Sequence, residues 1–124
     1  MTKDIVEVWK DIPHYEGLYQ VSNLGRVWTV RNQRLMKQTP YGVDGYLGVH
    51  LTNKYGKHKI EAVHRLVCLA FLPNPNGLPQ VNHLNEIKTD NRLENLQWVS
   101  PKENANYGTR NERISRTKKS KEVK

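Results

Sequence analysis

The sequence predicts an α+β protein: a small N-terminal antiparallel β-sheet, then a helix, then a strand–loop–strand–helix unit, and last a basic tail. Three observations carry this. Aromatic and β-branched runs broken by an Asn-x-Gly turn fill the first half, and apolar residues recur at three- and four-residue steps from Ala62 to Phe71. Ser100-Pro101-Lys102-Glu103 has the make-up of a helix start.

Taken in order, Glu7–Ile12 leads through Pro13 into Tyr15–Val21, and Ser22-Asn23-Leu24-Gly25-Arg26 turns the chain into Val27–Val30, as in a β-hairpin. Arg34–Gln38, Tyr46–Thr52 and Lys59–Val63 read as further strands, with turns at Tyr41–Gly45 and Asn53–Lys57. Together they imply one antiparallel sheet with Trp9, Tyr15, Tyr19 and Trp28 in its core.

Val63, Leu66, Val67, Ala70 and Phe71 share one face of a helix, which Pro73-Asn74-Pro75-Asn76-Gly77 ends. Gln80–His83 is a short strand, followed by a polar loop through Asp90-Asn91-Arg92 and a second strand, Leu96–Val99. Ser100 then caps a helix whose first position is Pro101 and whose third is Glu103, with Gly108 as its stop. The divisions expected are a β-rich module at 1–61, a strand–strand–helix unit with its leading helix at 62–107, and a flexible basic tail at 108–124.

Bulk properties narrow the function. The 124 residues carry 20 Lys and Arg against 12 Asp and Glu, a net charge of +8, which favours a polyanionic partner. Seven basic and two acidic residues between Gly108 and Lys124 put +5 of that in the tail. The single Cys68 excludes an internal disulfide and any cysteine-based zinc cluster, and its apolar setting, Leu66–Phe71, implies a packing role. No apolar stretch is long enough to span a bilayer, and Met1-Thr2-Lys3-Asp4 lacks the basic-then-apolar start of a signal peptide, so the expectation is a cytoplasmic protein without membrane contact.

The stretch Val81-Asn82-His83-Leu84 through Asn91-Arg92-Leu93-Glu94-Asn95-Leu96-Gln97-Trp98-Val99 to Ser100-Pro101-Lys102-Glu103-Asn104-Ala105-Asn106-Tyr107 resembles the HNH endonuclease signature of phage and intron-encoded homing enzymes. Val63-His64-Arg65-Leu66-Val67 with Ala70-Phe71 matches what leads into that signature. Trp9–Ile12 with Tyr15–Val27 resembles the N-terminal module that accompanies these nucleases.

The resemblance implies a ββα-metal site that hydrolyses DNA with a histidine base and one divalent cation, Mg²⁺ or else Mn²⁺. It implies His83 as the general base, Asn82 and Asn104 as metal ligands, and Asn95 as the residue that ties down the loop and orients the histidine. The partner expected is double-stranded DNA, cut one strand at a time by a monomer or a dimer, in the cytoplasm of a bacterial host.

The chemistry supports that division of labour. Phosphodiester hydrolysis needs an activated water, neutralised phosphate charge and help for the departing oxygen. An imidazole titrating at about 6.5 accepts water's proton at neutral pH when its other nitrogen is held by a fixed acceptor. Because strand neighbours point to opposite faces, Asn82 and His83 can share a target only if the strand ends there. The reading further requires His83 to meet solvent and to lie near the Asn104 amide.

Asn82 departs from the family's usual aspartate or histidine, and a neutral amide binds a cation less strongly. His64 is expected to pack or hydrogen-bond, and Asn91 to form a turn. Phosphates would be gripped by Arg26, Arg31, Arg34, Lys37, Lys54, Lys57 and Lys59 on the sheet and by Arg110 and Arg113 in the tail. The rivals are a DNA-binding module of the same fold without cleavage and an RNA-binding sheet protein.

Overall fold

The computed structural model describes residues 6–105. In it the first half of the chain forms two antiparallel sheets where the sequence suggests one. The first is β1 (Trp9–Asp11), β2 (Tyr19–Ser22), β3 (Val27–Thr29) and β4 (Arg34–Leu35), paired in chain order. Its central hairpin pairs Val21 with Val27, and the Ser22 hydroxyl accepts the backbone N–H of Leu24 at 3.1 Å and of Arg26 at 3.2 Å. The expected Asn-x-Gly turn is therefore present, with Gly25 at φ +83°.

The second sheet is β5 (Thr39–Tyr41), β6 (Tyr46–Thr52) and β7 (His58–Ala62). β5 lies where the sequence suggests the end of a strand and the start of a turn. Pro40 disguises it, being tolerated here because β5 is an edge strand. β4 correspondingly stops at Leu35 and not Gln38, whose side-chain Nε2 turns back to donate to the Gly25 carbonyl at 2.7 Å.

α1 (Val63–Phe71) runs between these sheets and the hairpin of β8 (Gln80–His83) with β9 (Leu96–Val99). Val63, Leu66, Val67 and Cys68 are buried on it together with Ile12, Val21 and Val27 from the first sheet, Val49 and Leu51 from the second, and Val81 and Leu96 from the third. One helix thus supplies the shared core, which gives its three- and four-residue apolar spacing a physical cause. Burial pushes the Cys68 thiol up to about 12, in keeping with packing over reactivity.

Of the four aromatic residues expected in the core, Tyr15 is buried and Tyr19 packs against it. Trp9 and Trp28 stay half-buried, edge to face at 6.3 Å, and with Gln20, Arg26 and Leu35 they line a depression of ≈ 340 Å³ on the sheet. The cause is the register: Gln20, Trp28 and Leu35 are cross-strand partners on the face opposite Val21 and Val27.

A single 3-10 turn, Leu93–Asn95, precedes β9, and α2 (Pro101–Ala105) follows it. The expected capping box is complete: Ser100 Oγ accepts the Glu103 N–H at 3.1 Å, and Glu103 Oε1 accepts the Ser100 N–H at 2.9 Å. Gly108, Arg110, Arg113 and the rest of the basic tail lie outside the described residues. Among the described residues no helix is long and apolar enough to cross a membrane.

Candidate active site

The hairpin of β8 and β9 sorts its side chains by alternation. Asn82 pairs with Gln97 and His83 with Leu96, so Gln80, Asn82 and Gln97 share one face while Val81, His83, Leu96 and Trp98 share the other. The polar face receives α2, and the apolar face packs on α1, where Trp98 Nε1 donates to the Leu72 carbonyl at 3.1 Å.

On the polar face Asn82 Nδ2 donates to Gln97 Oε1 at 3.1 Å, and Asn104 Nδ2 donates to Gln80 Oε1 at 2.8 Å. Each amide gives its nitrogen to a glutamine. Asn82 Oδ1 is buried and accepts no hydrogen bond. Leaving a buried acceptor unpaired costs about 1–3 kcal/mol, so an oriented oxygen of this kind fits a donor to a hard cation. No group of three or more His, Cys, Asp or Glu side chains able to hold a metal exists among the described residues. A cation held here would rest on neutral amide oxygens, which accords with the weak donor at position 82.

His83 is the last residue of β8 and still pairs in register with Leu96, so its side chain lies on the face opposite Asn82. Its Nε2 meets Asn91 Oδ1 at 2.7 Å. A carboxamide oxygen only accepts, so in this contact Nε2 is the donor and the ring carries a proton there. The acceptor on the His83 ring is therefore Asn91, which the sequence suggests as a turn former. No helix or strand period marks it, because a loop of seven residues separates it from His83.

Asn95 is buried beneath that loop. Its Oδ1 accepts the Asn85 N–H, and its Nδ2 donates to Asn85 Oδ1 and to the Asp90 carbonyl, each at 2.9 Å. Asp90 is gripped by the Arg92 guanidinium and by Asn85, which hold its carboxyl down at about 2.

The ring of His83 also meets His64 on α1 at 5.1 Å and Tyr46 on β6 at 5.8 Å, and Tyr46 and His64 meet at 4.8 Å. Burial first, then the charge of His83 and of Arg65, push the His64 imidazole down to about 4, so it stays neutral. The packing role expected of His64 is thus played against His83 itself. Under these rings His83 is only 4% exposed, which departs from the solvent-facing imidazole expected from the sequence. His64 Nδ1, Asn82 Oδ1 and Asn91 Nδ2, each buried without a hydrogen-bond partner, all belong to residues in contact with His83 or next to it in sequence.

The expected phosphate-binding residues divide into groups. Arg31 and Lys54 line a depression of ≈ 540 Å³ with Asn32, Thr52 and His58. Arg34 and Lys37 line another of ≈ 340 Å³ with His50, and the two share Thr29 and Asn32. Lys57 is exposed, Lys59 lies 3.9 Å from Glu61, and Arg26 is engaged by Glu7.

Residues 61–106 match the HNH endonuclease family and residues 7–52 match the NUMOD4 motif. An uncharacterized HNH endonuclease of Acanthamoeba polyphaga mimivirus is 40% identical over 117 residues, covering 91% of this chain and 29% of that protein. The DNA endonuclease I-HmuI of Bacillus phage SP01 is 42% identical over 97 residues, covering 77% of this chain and 54% of that protein. A solved structure titled as DNA binding and cleavage by the HNH homing endonuclease I-HmuI superposes with a TM-score of 0.74 at 36% identity, covering 94% of this chain and 65% of that one. The chain thus spans between about a quarter and about half of the length of these curated relatives.

Proposed function

This chain belongs to the HNH endonuclease family through its residues 61–106, and from that premise we propose that it is a metal-dependent DNA endonuclease that nicks one strand of a duplex. The observation that carries the reading is the 2.7 Å contact between His83 and Asn91, which fixes an imidazole with its lone pair on Nδ1.

His83 Nδ1 takes the proton of the attacking water, and Asn91 holds the ring in that tautomer while the positive charge develops. Asn95 keeps the loop closed so that Asn91 stays in place. Asn82 and Asn104, whose amide nitrogens are taken by Gln97 and Gln80, would hold one divalent cation, Mg²⁺ or Mn²⁺, through their amide oxygens. When bound, such an ion neutralises charge on the phosphate and stabilises the departing oxygen. Arg31, Lys54, Arg34 and Lys37 grip the backbone from the two joined depressions. Since His83 is nearly enclosed, its surroundings must open a little for water and phosphate to reach it. The protein acts in the cytoplasm of a bacterial host.

A second reading, a DNA-binding module of the same fold without cleavage, draws on the neutral residue at 82 and on the burial of His83. Incubating supercoiled plasmid with Mg²⁺ or Mn²⁺ separates the two. Nicked circles from the wild type and none from His83→Ala support the enzyme, and intact plasmid with retained duplex binding supports the module. Stronger competition by RNA than by duplex DNA would refute both.

A further inference from the structure

We propose that the N-terminal motif is a built-in part of the catalytic centre, because Tyr46 stacks on His83 and Gly25 props the Asn91 that holds it. Both residues fall within the NUMOD4 segment, outside the HNH segment. The inference rests on the reading of His83 as the general base.

Two constraints fix a planar ring: a stacking partner sets its plane, and an in-plane hydrogen bond sets its rotation within that plane. Tyr46 supplies the first, at 5.8 Å between centroids and 27° between planes. Its own place is secured from the nuclease side, since Lys88 Nζ lies 5.1 Å over the Tyr46 ring and donates to the Asp44 carbonyl at 2.7 Å. The turn that carries Asp44 is thereby tied to the loop that follows His83.

Asn91 supplies the second constraint, and the β2–β3 turn backs it. A Cβ on Gly25 would stand 2.8 Å from the Asn91 carbonyl oxygen and 3.0 Å from its carbon, so only glycine lets the turn come this near. One further bond holds the approach, the Leu93 N–H donating to the Asn23 carbonyl at 2.8 Å, while Gln38 Nε2 donates to the Gly25 carbonyl at 2.7 Å and steadies the turn from within the N-terminal motif. A side chain at 25 must push Asn91 away from the turn or the turn away from Asn91, and the 2.7 Å bond to His83 lies one side chain further on.

A motif that only tethered DNA would affect affinity and leave the bond-breaking step alone. The full chain with Tyr46→Leu, Tyr46→Phe and Gly25→Ala tests this by three measurements: duplex affinity without divalent metal, single-turnover nicking at saturating protein, and the imidazole ¹⁵N resonances of His83. Tyr46→Leu and Gly25→Ala are expected to slow single-turnover nicking at least roughly tenfold while affinity stays within about twofold. Both should shift the His83 resonances, and Tyr46→Phe, which keeps the ring, should restore rate and spectrum.

Unchanged rates and resonances, a loss confined to affinity, or faster nicking by Tyr46→Leu would each overturn the proposal, the last by making Tyr46 a mere cover. Should Gly25→Ala fail to fold, the two Tyr46 variants decide. If His83→Ala itself nicks normally, the assignment of the base fails, and the resonance shifts still report whether the N-terminal motif sets that ring.

Discussion

The imidazole of His83 and the carboxamide of Asn91 meet at 2.7 Å across a loop of seven residues. This bond selects the tautomer that carries its lone pair on Nδ1. Asn91→Ala should lower nicking roughly ten- to a hundredfold, the range usual for a residue that orients a catalytic group. Asn91→Asp, which keeps an acceptor, should recover much of it. Equal loss in both variants, with unchanged thermal stability, would count against an orienting bond.

Asn82→Asp should keep or raise nicking at low Mg²⁺, because a carboxylate binds a hard cation more strongly than an amide. Gln97 can follow the change by turning its own Nε2 toward the new oxygen, so the site needs no rebuilding. Nicking titrated against Mg²⁺ for both proteins checks this, and a large loss at every concentration would remove Asn82 from the ligand set.

His64 makes stability fall on acidification. Its unfolded value is 6.5 and its folded value about 4, so the unfolded chain takes up a proton that the folded chain refuses. The stabilisation is complete above about 6.5, declines as pH falls, and is lost by about 4, amounting to on the order of 3 kcal/mol. Urea midpoints at pH 7 and 4.5 should converge in His64→Phe relative to wild type. An unaltered slope would show that another group governs the decline.

Lys54→Glu and Arg31→Glu should weaken duplex binding and lessen its salt dependence, by roughly 0.9 in the logarithmic slope for each phosphate contact removed. Their depression includes Thr52, at the far end of β6 from Tyr46, and seven residues of strand span roughly 20 Å. Protection of the backbone by these residues should therefore centre about six base pairs from the nick, at 3.4 Å per pair. Phosphate-ethylation interference maps it, and protection at the nick alone would exclude the depression as a grip.

Elements with strong local signals are legible in the residues alone. The helix over Val63–Phe71 announces itself by apolar spacing, and the start of α2 by the Ser100 and Glu103 pair, because each is fixed by residues a few positions apart. The division of the first half into two sheets is not legible in this way, since it depends on which strand Pro40 joins, a choice made by long-range pairing. Nor are the outward positions of Trp9 and Trp28, which follow from register more than from hydrophobicity.

At the site, Asn82-His83 stands out as a contiguous pair, and Asn95, singled out by the family resemblance, does bond across the loop. The contacts of His83 with Asn91, His64 and Tyr46 link positions 8 to 37 residues apart, and no periodicity records such distances.

β6 gives the molecule a ruler. It is one unbroken strand with Tyr46, the neighbour of His83, at its first position and Thr52, on the wall of the basic depression, at its last. An extended strand resists both stretching and compression, so under the proposed function the offset between where the duplex is gripped and where it is cut would be set by a residue count. Adding a pair of residues to β6 and to its partner β7 would preserve which side chains face inward and move the cut by about two base pairs along the duplex.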